Sequence, residues 1–402
     1  MRKIKWCALT VCLFAFVFLM TGCEDAPERP QNSDDNAVSL TTEQYVTVEE
    51  AKRQMQEMAG KTVLGFELPE HIQMPDVANV FKVKVQPWYP VWEKDLKNAV
   101  KNLWRDYGKV DWTKIKNKKF SSKIDESYYG KEKKDEKSGL VYSYDSNGFL
   151  CGDSLGDTEL TSEACVKEFD FEWGDTVSEE ETYPLADGEM SVAEAVSFTE
   201  DLLETYLSEL EKNQFEYKVQ HLYVMENEDT GFYDYNMVIG RIYKGVPIDT
   251  SSDFKVSEGK SYYRTHCGAH IIAIMRHRNS LDYISTSREL FEIESEAEKE
   301  KIIAPKWALQ KMSEEIAHDN GIRFTECGLV YLLVQDNRLS EQDQQDVYQQ
   351  ADETTYLRPV WLFTQDSNAE STDSLTKDNH GISVIVDALD TNLYYYESTS
   401  AY

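Results

Sequence analysis

The sequence predicts an α+β fold, and three observations carry that reading. Two segments, opening at Ser191 and Pro305, place apolar residues at the three-to-four spacing of an amphipathic helix. Each is followed by runs in which apolar and polar residues alternate, as in half-buried strands. One helix and then several strands therefore occur twice, over 191–290 and 291–402. A helix laid across one face of an antiparallel sheet buries the apolar side of both, which is the α+β arrangement. A further α+β region is expected over 43–190.

The chain opens with Arg2, Lys3 and Lys5, then an uncharged run of 15 residues from Trp6 to Met20. The run is shorter than the ~20 residues that a membrane-crossing helix needs. A basic start, a short apolar stretch and small residues before a cut form a signal-peptide pattern, assigned to 1–22. The ending Thr21-Gly22-Cys23 resembles a bacterial lipoprotein signal, although Met20 stands where leucine is more usual. That resemblance implies lipid on Cys23 and attachment to the outer side of a cell membrane. Residues 23–42 are polar, carry two prolines and lack an apolar period, so they read as a tether.

Thr47 and Glu50 have capping-box spacing, and Gly60 supplies a stop, so a helix is expected up to Ala59. Phe81, Val83 and Val85 alternate with Lys82 and Lys84 as in a strand. Trp92, Leu96, Val100, Leu103 and Tyr107 predict a helix over 92–107, followed by a lysine-rich loop over 116–137. Runs 141–144 and 149–151 flank Asp145-Ser146-Asn147-Gly148, a hairpin signal. Ser191 and Glu194 open the helix that runs to Lys212. Strands are expected at 215–225, 232–243 and 266–278. Pro305 suits a first helical turn, and that helix extends to Ala317. Strands at 322–334, 356–364 and 382–396 close the chain.

The charge balance restricts the partners. The chain holds 73 Asp and Glu against 42 Lys and Arg, a net of −31. Loss of the leader removes three basic residues and leaves a net of −34. Such a surface repels nucleic acid and anionic headgroups. The expected contacts are the membrane, through the lipid, and an envelope protein partner. Of seven cysteines, Cys7 and Cys12 leave with the leader. Export permits bridges among the rest, with Cys151–Cys165 and Cys267–Cys327 as the open pairings beside free thiols.

Two segments resemble a known family. Arg241-Ile242-Tyr243-Lys244-Gly245-Val246-Pro247-Ile248 looks like the Arg…Gly-x-Pro segment of PepSY-like repeats of exported bacterial proteins. Arg358-Pro359-Val360-Trp361-Leu362-Phe363, with Ile382 to Ala388, looks like the closing strands of such a repeat. Asp387-Ala388-Leu389-Asp390-Thr391-Asn392 stands where that family usually has Asp-Ala-x-Thr-Gly. The layout over 191–400 is similar to membrane-tethered regulators of the YycI/YycH type. The resemblance implies binding or inhibition of a partner and brings no catalytic residues.

Motifs that could carry chemistry lack their complements. Gly152-Asp153-Ser154-Leu155-Gly156 has the form of a nucleophile elbow, and a serine esterase using Ser154 is the alternative function. The Gly-Asp-Ser-Leu family that it resembles takes its base from an Asp-x-x-His, which this sequence lacks. In a strand, His266 and His270 would lie ~13 Å apart, too far for one zinc, with Cys267 on the opposite face. Glu315-Ile316-Ala317-His318 is a lone Glu-x-x-His where a di-iron helix bundle needs two. Asp145 and Asn147 are too few for a calcium loop. The aromatic groups Trp88, Tyr89, Trp92 and Tyr394, Tyr395, Tyr396, Tyr402 suit packing or ligand stacking. The expectation is a non-catalytic binding or regulatory module with no cofactor and no metal, and with a small-ligand or metal carrier as a further alternative.

Overall fold

The computed structural model describes residues 44–87, 133–134, 140–145, 148–153, 163–171, 177–212, 214–227, 230–249, 255–258, 261–264, 271–286, 291–315, 322–335, 355–365, 380–390 and 393–399. Three helices lie among them: α1 (Val48–Met58), α2 (Val192–Leu210) and α3 (Pro305–Glu315). The strands that build the two large sheets are β1 (Val80–Pro87), β2 (Leu140–Asp145), β3 (Gly148–Asp153), β4 (Glu163–Asp170), β5 (Glu216–Asn227) and β6 (Tyr233–Tyr243). They continue with β7 (Ile271–Met275), β8 (Tyr283–Ser285), β9 (Phe291–Lys299), β10 (Glu326–Gln335), β11 (Thr355–Gln365), β12 (His380–Asp387) and β13 (Leu393–Thr399).

The helix ends follow from capping chemistry. The Thr47 hydroxyl accepts the Glu50 amide at 3.2 Å, and Gly60 takes a left-handed φ of 67° just beyond α1. At α2 the Ser191 hydroxyl accepts the Glu194 amide at 3.2 Å. The Glu194 carboxylate accepts the Ser191 amide at 2.9 Å, completing the capping box. Val192, Ala195, Val196, Leu203 and Leu207 of α2 are buried, as are Ala308, Leu309 and Met312 of α3. Those residues recur on one side of each helix, which is why the sequence reading located both.

Two sheets form the body. The nine-stranded sheet runs Lys133–Lys134, β2, β3, β8, β7, β6, β5, β4, with Val246–Pro247 paired to β6. The six-stranded sheet runs β9, β1, β11, β12, β13, with β10 on the other edge of β11. All their pairings are antiparallel. Helix α2 lies against β5, and α3 lies against β12 with α1 beside it. The short strand Tyr45–Thr47 pairs with Lys301–Ile303 and ties the start of the body to its second half.

The architecture is mostly β and corrects the α+β expectation. Strands take 54% of the described residues and helices 20%. The two halves are also not self-contained helix-plus-sheet repeats. Strands β2, β3 and β4, from 43–190, complete the sheet of the first expected repeat. Strand β1, from the same region, lies between β9 and β11 of the second. The missed strands are short or polar, such as Glu163–Asp170 and Phe291–Lys299, so no strong alternation marks them. Helix 92–107 and residues 116–132 and 135–137 of the expected lysine-rich loop lie outside the described residues, and Lys133–Lys134 of that loop form a short strand paired with β2. The hairpin is as expected, with Asp145 opposite Gly148.

A tight turn at Lys244 and Gly245 joins the sheets. Both residues have positive φ, 48° and 78°, the pair that a two-residue hairpin turn of right-handed twist requires. Beyond the turn, Asp249 donates its amide to the Tyr331 carbonyl of β10 at 2.7 Å. The Lys244 ammonium stands 3.9 Å above the Phe81 ring of β1 and 2.6 Å from Glu296 of β9. Tyr243 also hydrogen-bonds Glu296, and the Tyr331 hydroxyl accepts the Phe81 amide at 2.9 Å. Buried side chains of both sheets belong to one continuous apolar cluster.

Close backbone approach explains one glycine. The Gln73 amide donates to the Cys327 carbonyl at 3.1 Å, and a Cβ on Gly328 would stand 2.6 Å from the Gln73 oxygen. Gly328→Ala is expected to lower stability by ~1–3 kcal/mol, read as a shifted denaturation midpoint. The junction makes a second expectation. Hydrogen bonds from Lys244 and Tyr243 hold the Glu296 carboxyl below its ordinary value of 4.5. A depressed carboxyl stabilises above its unfolded value and loses that contribution as pH falls through the folded one. Denaturation curves should therefore lose stability below pH 4.5 more steeply in the wild type than in Glu296→Gln.

Candidate functional site

Cys23, Ser154, His266, Cys267, His270 and His318 lie outside the described residues. Ser154 follows directly on β3, and residues 154–162 lie outside the described residues. Trp88, Tyr89, Trp92 and Tyr402 also fall outside, while Tyr394, Tyr395 and Tyr396 lie in β13.

Strand order decides the first cysteine pairing. Cys151 is in β3 and Cys165 in β4, five strand steps apart in one sheet. At ~4.8 Å per step they stand ~24 Å apart, against the ~7 Å limit between Cα atoms for a disulfide. Cys165 is a free, exposed thiol. Cys327 is free and buried, and burial pushes its thiol well above the ordinary value.

Two groups of opposite charges link elements of the fold, the first enclosed and the second reaching from a buried acid to the surface. Glu211 follows α2 and is fully buried; Arg241, also buried, stands near the end of β6. Arg241 Nη2 lies 2.8 Å from Glu211 Oε1, and its Nε lies 2.9 and 3.0 Å from the two carboxylate oxygens. Tyr217, directly across the strand pair from Arg241, donates its hydroxyl to Glu211 at 2.5 Å. Burial, then the Glu211 charge, push the Tyr217 phenol well above its ordinary value, so it stays a donor. In the other sheet Arg358 pairs with buried Asp387 and, at 2.6 Å, with Asp390. Asp387 also accepts the Leu389 amide at 2.7 Å and the Asp390 amide at 3.2 Å. Burial raises the Asp387 carboxyl, and the Arg358 charge opposes that rise. These are the Arg241 and Arg358 to Asp387 positions of the two segments noted in the sequence. Burial of Arg241, Glu211 and Asp387 makes these pairs cross-links between elements of the fold.

The solvent-facing cluster is elsewhere. Glu168 and Asp170 alternate on β4, an end strand of the nine-stranded sheet, and both are exposed. His221 stands opposite Asp170 and Tyr223 opposite Glu168 on β5. Strand periodicity of two places all four on one face of the pair. His221 Nδ1 lies 2.6 Å from Asp170 Oδ1. The Tyr223 hydroxyl is hydrogen-bonded to Glu168; burial, then the Glu168 and Asp170 charges, push its phenol up to about 12. Its ring stacks with that of His221 at 6.5 Å. In its pairing with β6, strand β5 bulges between Val219 and His221, and the Glu200 carboxylate of α2 accepts the Val219 amide at 3.0 Å.

Among the described residues, Glu168, Asp170 and His221 form the one group of three whose ligating atoms all lie within 4.8 Å of one another. The sequence reading assigned no metal and did not find these residues. The available signal was Glu-Phe-Asp and His-Leu-Tyr, each with polar groups two apart. Pairing between strands 51 residues apart was not visible in it.

No family model, curated protein or solved structure matches the chain.

Removing one partner of an enclosed ion pair leaves a buried charge without compensation. Arg241→Met should therefore lose ~3–5 kcal/mol of stability in chemical denaturation. Adding Glu211→Met to it should restore a large part, and an Arg241→Met midpoint equal to wild type would refute the role given to the pair.

Proposed function

We propose that this chain is an exported protein, fastened by lipid on Cys23 to the extracytoplasmic face of a cell membrane, where it acts as a non-catalytic binding or regulatory module. The observation that carries the reading is the passage from a basic, short apolar leader, through Thr21-Gly22-Cys23, into a polar proline-bearing stretch and then an acidic body. Two acyl chains or more on one cysteine hold firmly, since each buried methylene contributes ~0.8 kcal/mol and a single chain is marginal. The strong negative charge disfavours nucleic acid and suits a body standing off anionic headgroups.

The fold supports a binding role by its edges. Strand β4 ends the nine-stranded sheet among the described residues, and β9 and β13 end the path of the six-stranded sheet. End strands present backbone donors and acceptors that an extended segment of a partner protein can pair with. The resemblance of 191–400 to tethered envelope regulators points the same way.

The anchor is open to a direct test. Cys23→Ala is expected to release or mislocalise the protein and to abolish labelling by radioactive palmitate. Equal labelling of the wild type and the variant, or Met1 retained on a cytosolic protein, would overturn the reading.

A further inference from the structure

We propose that Glu168, Asp170 and His221 form a binding site for a divalent transition-metal ion of the zinc type. The inference is independent of the lipid anchor and adds a ligand to the body itself. The three side chains supply one imidazole nitrogen and two carboxylate oxygens. Their ligating atoms lie within 4.8 Å of one another. A tetrahedral ion ~2.0–2.2 Å from each donor holds the donors ~3.4 Å apart, which rotation of these solvent-facing side chains must reach.

The strand ladder fixes the donors in advance. Asp170 is registered to His221 and Glu168 to Tyr223 by backbone pairing, so no loop must be ordered for the three to meet. The imidazole of His221 already shares a hydrogen bond with Asp170 at 2.6 Å, and the ion would replace that contact. Tyr223 hydrogen-bonds Glu168 and would orient it as an outer partner of a ligand. Lys167, between the two acids in the chain, serves the opposite face, where it pairs with Glu181 and lies over the Phe169 ring. It therefore does not neutralise the acids. The site opens to solvent, with the Asp170 side chain 70% exposed and that of His221 40%. An acidic chain also raises the local concentration of cations. The donor set favours zinc over calcium, which takes six to eight oxygens.

The test is calorimetric titration of the full chain, held in detergent, with zinc chloride. Wild type should bind one ion per chain at this site, and His221→Ala should weaken that binding by at least ~10-fold. Glu168→Gln with Asp170→Asn should do the same. Cys165→Ser and His277→Ala should leave it unchanged, since neither residue belongs to the cluster. Glu168 and Asp170 are exposed and the His221 side chain is 40% exposed, so metal-free melting temperatures of the cluster variants should equal that of wild type. Zinc affinity unaltered by His221→Ala, zinc binding lost only in Cys165→Ser, or no binding to the wild type would each overturn the site.

Discussion

The buried pair of Arg241 and Glu211 is the constraint on which the first half of the molecule depends. Glu211 is the residue after α2, where the chain leaves the helix through a left-handed Lys212 with φ 59°. Its carboxylate takes hydrogen bonds from Arg241 on β6 and Tyr217 on β5. One charged group thus fixes the end of the helix against two neighbouring strands. Enclosure from water is what makes the arrangement exacting. Neither charge can be relieved by solvent, so loss of one partner alone leaves the other buried without compensation.

That anchoring has a consequence two residues along β6. With Arg241 held, Tyr243 and Lys244 are delivered to the other sheet, where they meet Glu296, Phe81 and Tyr331. The contact joins residues from four distant parts of the chain. It explains why 43–190 does not form a unit apart. Its strand β1 carries Phe81 into the middle of the six-stranded sheet, and its strands β2 to β4 extend the nine-stranded one. The second sheet has a counterpart link in Arg358 and Asp387, which closes the turn that follows β12. Both links sit in segments where arginine and acid are distant in sequence and adjacent in space.

The body divides its charged groups between interior and rim. Enclosed charges brace the sheets, while the end strand β4 keeps its acidic residues in water beside His221. A single strand pair can do this because its two faces differ. One face turns Leu222 and Val224 to the core, and the other turns His221 and Tyr223 outward. The same alternation therefore provides both the packing and the exposed donors.

The local signals in the sequence were sufficient for local structure. Thr47 with Glu50, Ser191 with Glu194 and Pro305 located the helix starts, because caps act within three or four residues. The leader and Cys23 are proposed on the same kind of signal, a contiguous pattern. The fold class was not. Short polar strands such as Glu163–Asp170 have little periodicity of their own, and they become strands by pairing with Glu216–Asn227. Which strands neighbour one another was decided only by tertiary structure, and with it the separation of Cys151 from Cys165 and the meeting of Glu168, Asp170 and His221. Sheet pairing joins residues at any distance along the chain, so its outcome is set by packing of the whole core and leaves no mark at a fixed spacing.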